Sequence, residues 1–225
     1  MNQNILKDST STIRVLIMTS VPAERDAVLR GLNGDARFDV VIGGVGTAAA
    51  AASTARALAT AEYGLAVCAG IAGGFAGQAD IGSLVLASEI VAADLGAETP
   101  EGFCSVDELG FGSARVPVDA GLTARLAEAL RAAGLPVAAG PVLTLATVTG
   151  TAETAAELAA RVPGAAAEAM EGYGVAVAAQ ACGVPVLELR SISNAVGPRN
   201  RDAWRIPEAL KALEAASAVL MEVLR

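Results

Sequence analysis

The chain has 225 residues, enough for one large domain with a sizeable core, and 53% of them are hydrophobic, with alanine supplying much of that share. Its formal net charge of −8 argues against nucleic acid or an anionic membrane as a partner, because both need concentrated Lys and Arg. Histidine is absent, which excludes a Ser-His-Asp triad, a Cys-His pair and every histidine metal site, and leaves acid–base chemistry to carboxylates, Tyr, Lys or water.

The first stretch, "MNQNILKDSTSTIR", is polar and lacks an apolar segment followed by a cleavage site. Residues 1–12 therefore read as a disordered polar tail, residues 13–225 as one domain, and the protein as cytoplasmic. No window reaches the roughly 18 uninterrupted apolar residues of a membrane helix. Apolar runs bounded by Gly or Pro predict buried strands near 13–18, 38–44, 65–70, 83–93, 137–148 and 184–193. Helical patterns lie at 22–33, 47–61, 119–133, 151–161, 172–182 and 206–224. This alternation predicts a single-domain α/β fold, with a central, mostly parallel twisted sheet flanked by helices. Cys68, Cys104 and Cys182 are too few and too widely spaced for a disulfide framework or a zinc site, and read as reduced packing residues.

In such sheets ligands sit beyond the carboxyl ends of strands, so the residues just after each run are the informative ones. They include "MTSVPAER" with Glu24, "GGVGTAAAA" at 43–51, "AGIAGGF" at 69–75, "TVTGT" at 147–151, "EAMEGYG" at 168–174 and "SISNAVG" at 191–197. Strand-to-helix turns alone explain most of the glycines, and neither a dinucleotide fingerprint nor a P-loop is present. Glu168 and Glu171 stand around the entrance to an Ala-rich helix, where a carboxylate can act simply as a cap. Glu24 can lie on an exposed helix face, and Asn194 is a residue that turns accept for backbone reasons.

Taken together, these segments resemble the purine nucleoside phosphorylase and nucleosidase superfamily, and within it the futalosine hydrolases of the alternative menaquinone pathway. The likeness rests on "GVGTAAAA", "AGIAGGF", "AMEG" and "RSISN", with "AADLGAETPEGF" and "DELGFG" tilting it toward the futalosine hydrolases. It implies hydrolysis of futalosine to hypoxanthine and dehypoxanthine futalosine, without metal or cofactor, by a homodimer that completes its sites across the subunit interface. The alternatives it leaves open are a methylthioadenosine-type or inosine-type nucleosidase and a non-catalytic nucleoside-binding protein. By resemblance, Glu171 accepts hydrogen bonds from the ribose hydroxyls, Met170 packs on the sugar, and Glu24 is the general base for water. Backbone groups of Ala72, Gly73 and Thr149 line the purine, while Val148 stands where relatives carry a stacking aromatic. The stretch from Asp94 to Phe103 is the expected contact for the benzoate end of the substrate.

Cleaving a purine from ribose passes through an oxocarbenium-like sugar, which matches an anionic group beside the hydroxyls. Hypoxanthine shows two acceptors, O6 and N7, which the two protons of the Asn194 amide can serve. Phosphorolysis would need a phosphate clamp. The positions at which the related phosphorylases carry their clamp Arg and Ser hold Cys68 and Ile71 here, so water is the expected nucleophile.

Overall fold

Near-continuous apolar runs need cover on both faces, and the helices between them supply it. A computed structural model describes residues 13–225, so the tail expected over residues 1–12 lies outside the described residues. In chain order the elements are β1 (Val15–Thr19), α1 (Pro22–Leu32), β2 (Phe38–Ile42), α2 (Thr47–Thr60), β3 (Leu65–Gly74), β4 (Leu84–Ala92), β5 (Gly96–Thr99) and β6 (Gly102–Ser105). There follow β7 (Arg115–Pro117), α3 (Ala120–Ala132), β8 (Val137–Thr144), α4 (Ala152–Arg161), β9 (Ala167–Ala169), α5 (Gly172–Ala181), β10 (Val186–Ala195) and α6 (Ile206–Val223). The six expected helices are all present, within one residue at each end. Two of them start on side-chain caps: Asp119 accepts from the Leu122 N–H, and Thr151 from the Thr154 N–H.

The sheet is mixed, with parallel pairings in the majority. β1–β2, β1–β3, β3–β10, β4–β8 and β8–β9 are parallel, while β4–β10, β3–β9 and β4–β7 are antiparallel. Because β10 pairs with both β3 and β4, the path β10-β4-β8-β9-β3 returns to β10 and closes a ring, with β1 and β2 continuing outward from β3. β5 and β6 form a separate two-stranded hairpin.

Helices α1, α3 and α6 cover one side, where Val28, Leu126, Leu130, Leu213 and Leu220 meet Ile17, Val67 and Leu189. On the other side α2 and α5 bring Ala50, Val175, Ala176 and Ala179 against Leu16, Cys68 and Ile192. α4 adds Leu158 to a third cluster with Phe75 and Leu143. β3 runs to Gly74 and β10 to Ala195, further than their apolar runs suggest. This extension is what carries their polar ends to the functional face. β8 stops at Thr144, short of the expected 148, where its partner β9 ends at Ala169, whose carbonyl accepts the last bond of the ladder from the Leu145 N–H. No helix among the described residues is long and apolar enough to cross a membrane.

Candidate active site

Glu171 stands two residues beyond β9, after Met170, and occupies the N-cap of α5, so the short strand fixes its height and the helix its direction. It is only 7% exposed. Its Oε1 accepts from the Gly46 N–H at 3.2 Å, while Oε2 faces the Met170 N–H at 3.3 Å and the Arg190 guanidinium at 3.4 Å. The Gly46 donor belongs to the "GGVG" loop, whose Gly46 has φ +92°. That left-handed backbone aims the amide at the carboxylate and favours glycine. Thr47 donates from Oγ1 to the Met170 carbonyl at 3.1 Å, which ties the start of α2 to the same corner.

Below Glu171 lies a fully buried charged group. Arg190 and Glu188 are two apart on β10 and so share one face of the strand. Arg190 Nε donates to Glu188 Oε1 at 2.8 Å, and its Nη2 lies 3.2 Å from Cys68 Sγ. Burial works against the Arg190 charge, but Glu188, Glu171 and Glu24 around it hold its guanidinium above the ordinary range. Burial pushes the Cys68 thiol up, so it stays protonated.

Glu24, 3% exposed, closes the group from the side of α1. Its Oε2 accepts from the Ser20 N–H at 2.8 Å and the Val21 N–H at 3.3 Å, and its Oε1 from the Ile71 N–H at 2.9 Å. A Cβ on Gly70 would stand 2.6 Å from Glu24 Oε1 and 2.9 Å from an Arg190 nitrogen, so only glycine lets these groups approach each other over β3.

The neighbouring corner is neutral and polar. A bulge in the β3–β10 ladder between Ile192 and Asn194 turns Asn194 to face Gly73. Ser193 donates from Oγ to Asn194 Oδ1 at 2.8 Å and reaches the Ala72 carbonyl at 3.3 Å, while Asn194 Nδ2 donates to the Ala195 carbonyl at 2.9 Å. With the amide oxygen engaged, the NH2 edge is the free one. One of its protons serves Ala195, so a single N–H stands ready for a ligand where both were expected.

Gly73 pairs with Glu168 on its other side. Glu168 accepts from the Thr149 N–H at 2.8 Å and from the Thr149 hydroxyl, and burial pushes its carboxyl up. Of the Thr149 backbone groups, the N–H is thus engaged by Glu168. Val148, at 37% exposed, stands beside it.

Phe103 does not join this group. It lies on β6 with the Arg161 guanidinium 3.8 Å over its ring, and lines a separate hollow of about 330 Å³ with Val91 and Arg115. Asp94, at the other end of that segment, accepts from the Ala146 N–H at 2.7 Å. Among the described residues no cluster of Cys, Asp or Glu is placed to hold a metal ion.

Residues 19–225 match the model of the phosphorylase superfamily. The futalosine hydrolase of Streptomyces coelicolor is 51% identical, over 94% of this chain and 97% of that protein. The one from Thermus thermophilus is 41% identical, over 83% and 82%. The chain belongs to the futalosine hydrolase family of the phosphorylase superfamily. Among solved structures, the native futalosine hydrolase of Helicobacter pylori superposes with a TM-score of 0.79 at 18% identity, over 96% of this chain and 98% of that one. The methylthioadenosine/adenosylhomocysteine nucleosidase of the same organism, bound to butyl-thio-DADMe-Immucillin-A, reaches the same score. These two likenesses establish the fold.

Within this family fold the structure gathers Glu24, Glu171, Met170, Ala72, Gly73, Val148, Thr149 and Asn194 along the carboxyl ends of β1, β3, β8, β9 and β10. Sequence reasoning assigned no role to Gly46, Glu188 or Arg190. The signal for the last two was two opposite charges at strand spacing inside an otherwise apolar run.

Proposed function

We propose that this chain hydrolyses the N-ribosidic bond of futalosine, releasing hypoxanthine and dehypoxanthine futalosine. The observation that carries the reading is Glu171, a nearly buried carboxylate fixed by Gly46, Met170 and Arg190 at the rim of the site. An anionic acceptor there binds the ribose hydroxyls more strongly as positive charge grows on the sugar. Met170 supports the sugar, and the free Asn194 N–H meets the departing 6-oxopurine. Glu24, oriented by three backbone donors, takes a proton from water.

Two features favour water over phosphate as nucleophile. The place of the clamp cation is filled by the neutral Cys68 thiol, and the Ile71 N–H already serves Glu24. The reading includes a cytoplasmic homodimer acting in the futalosine route to menaquinone.

The test is hypoxanthine release from futalosine, assayed beside inosine and methylthioadenosine, with and without phosphate. Wild type should prefer futalosine and form no ribose-1-phosphate product. Glu171→Gln should lose on the order of 100-fold in kcat, as removal of one strong electrostatic contact to a transition state does. Near wild-type turnover in Glu171→Gln, or a phosphorylated product, would overturn the mechanism. Release from methylthioadenosine alone would overturn the substrate.

A further inference from the structure

Glu188 takes no part in the chemistry above, and the fold by itself gives it little reason to be there. The register of β10 on β3 sets Glu188 beside Cys68 and Arg190 beside Gly70, so the pair stands in the interior of the sheet. Glu188 has no exposed surface, Arg190 is 1% exposed, and Glu188 Oε2 has no hydrogen-bond partner. A buried ion pair is a poor way to stabilise a sheet, since apolar residues of similar volume often do as well or better.

The surroundings of Glu188 supply another reason. Its Oε1 accepts from Arg190 Nε at 2.8 Å, and the same guanidinium places Nη2 3.4 Å from Glu171 Oε2. Nε and Nη2 belong to one rigid planar group, so a bond that fixes the first also fixes where the second points. The other contact of Nη2 is Cys68 Sγ at 3.2 Å, and a thiol is too weak an acceptor to hold a guanidinium alone. Glu188 also meets Glu171 through the main chain. A Cβ on Gly172 would stand 2.3 Å from Glu188 Oε2 and 2.4 Å from Oε1, so the carboxyl lies beneath the first residue of α5, next to its N-cap Glu171. Only glycine at 172 leaves it that room.

We infer that Glu188 is a positioning residue, which holds the Arg190 guanidinium in the orientation that sets Glu171 toward the ribose hydroxyls. This role rests on the ribose contact given to Glu171 above. Because that contact strengthens as positive charge grows on the sugar, a loosened Glu171 lowers kcat and leaves KM nearly unchanged.

Two substitutions separate the position of the Glu188 carboxyl from its charge, and both leave Arg190 a polar neighbour. Glu188→Gln keeps the acceptor in place without the charge, whereas Glu188→Asp keeps the charge and draws the acceptor back by one methylene. With kcat referred to folded protein, Glu188→Gln stays within about 3-fold of wild type, the worth of one altered hydrogen bond. Glu188→Asp loses roughly 10- to 100-fold in kcat at unchanged KM, as a small displacement of a reacting contact does. In the Arg190→Met background the two variants become equal, because the residue through which they act is gone. The Gln and Asp pair decides by itself if Arg190→Met does not fold.

A Gln variant that falls as far as the Asp variant means that Glu188 acts by its charge, and overturns the inference. So does an Asp variant that turns over like wild type, or a difference that persists without Arg190. The assays use futalosine, inosine and methylthioadenosine, which all carry the ribose hydroxyls. Cleavage of either of the last two without futalosine removes the futalosine reading and leaves the Glu188 comparison in force, to be read on that nucleoside. Base release from none of the three by wild type brings down both.

Discussion

Glu188 has no exposed surface, gives one oxygen to Arg190 and leaves Oε2 without a hydrogen-bond partner. Burial pushes its carboxyl above the ordinary range, Glu171 adds to that, and Arg190 opposes it. A carboxyl that holds its proton more tightly when folded contributes stability below its unfolded value, and that contribution is lost as pH rises through the folded value. Glu188→Gln keeps an acceptor for Arg190 Nε and does not titrate. Its melting temperature should match wild type near pH 4 and exceed it by pH 8, each kcal/mol of difference moving Tm by about 2–4 °C in a chain of this size. The raised Glu168 is common to both proteins and cancels in the comparison. Thermal scans of the two across that range decide the matter: a flat or reversed difference means that Glu188 is held as a stabilising anion. At this scale the family resemblance singled out Glu24 and Glu171, and the donor pattern of a 6-oxopurine Asn194, where the residues alone read equally as a helix-face residue, a cap and a turn residue. The sequence did not reveal that Gly46 aims an amide at Glu171 or that Arg190 braces it, since those partners are 125 and 19 residues away along the chain.

The helices were readable because an apolar stripe with Gly, Pro or a capping residue at its ends is a local property. The direction and neighbours of the strands were not. A continuous apolar run says that both faces of a strand are covered, but β10 reads the same beside a parallel β3 as beside an antiparallel β4. β5, β6, β7 and β9 span only three or four residues each, too few for a period to show. One contact between elements explains how the site is assembled. A Cβ on Gly174 would stand 2.2 Å from the Thr47 carbonyl, so α5 and α2 cross backbone against backbone. That crossing sets Gly46, before α2, against Glu171, before α5. Gly174→Ala should therefore cost about 1–3 kcal/mol of stability by overpacking. It should also cut hypoxanthine release more than the lost folded fraction explains, as assayed at a temperature where the variant stays folded. A destabilised variant with wild-type kcat would show that the crossing supports the fold and not the site.

Over the whole molecule, two different surfaces adjoin the polar corner. One is the segment from Arg199 to Arg205, which holds three exposed arginines and is bonded to Gly150 and Ser193. The other is the outer face of α2, where Ala48, Ala49, Ala52, Ala55 and Ala59 are exposed and Arg56 is the one charged residue of the helix. Val45, 57% exposed, lies just before it, and Val177, 39% exposed, lies on the adjacent α5. The centre of a subunit interface is poor in charged residues, as this face is. This face also adjoins the Gly46–Glu171 contact, so a second copy docked on it would reach the site and complete it, as the proposed homodimer demands. The wild-type chain should then sediment at twice its 22.4 kDa mass at micromolar concentration. Ala52→Glu, which keeps a good helix former but sets a carboxylate in the middle of the face, should shift it to monomer. Futalosine turnover should fall with dimer content and recover as protein concentration rises. A monomeric wild type would remove the second copy from the mechanism, and a dimer indifferent to Ala52→Glu would move the interface off α2.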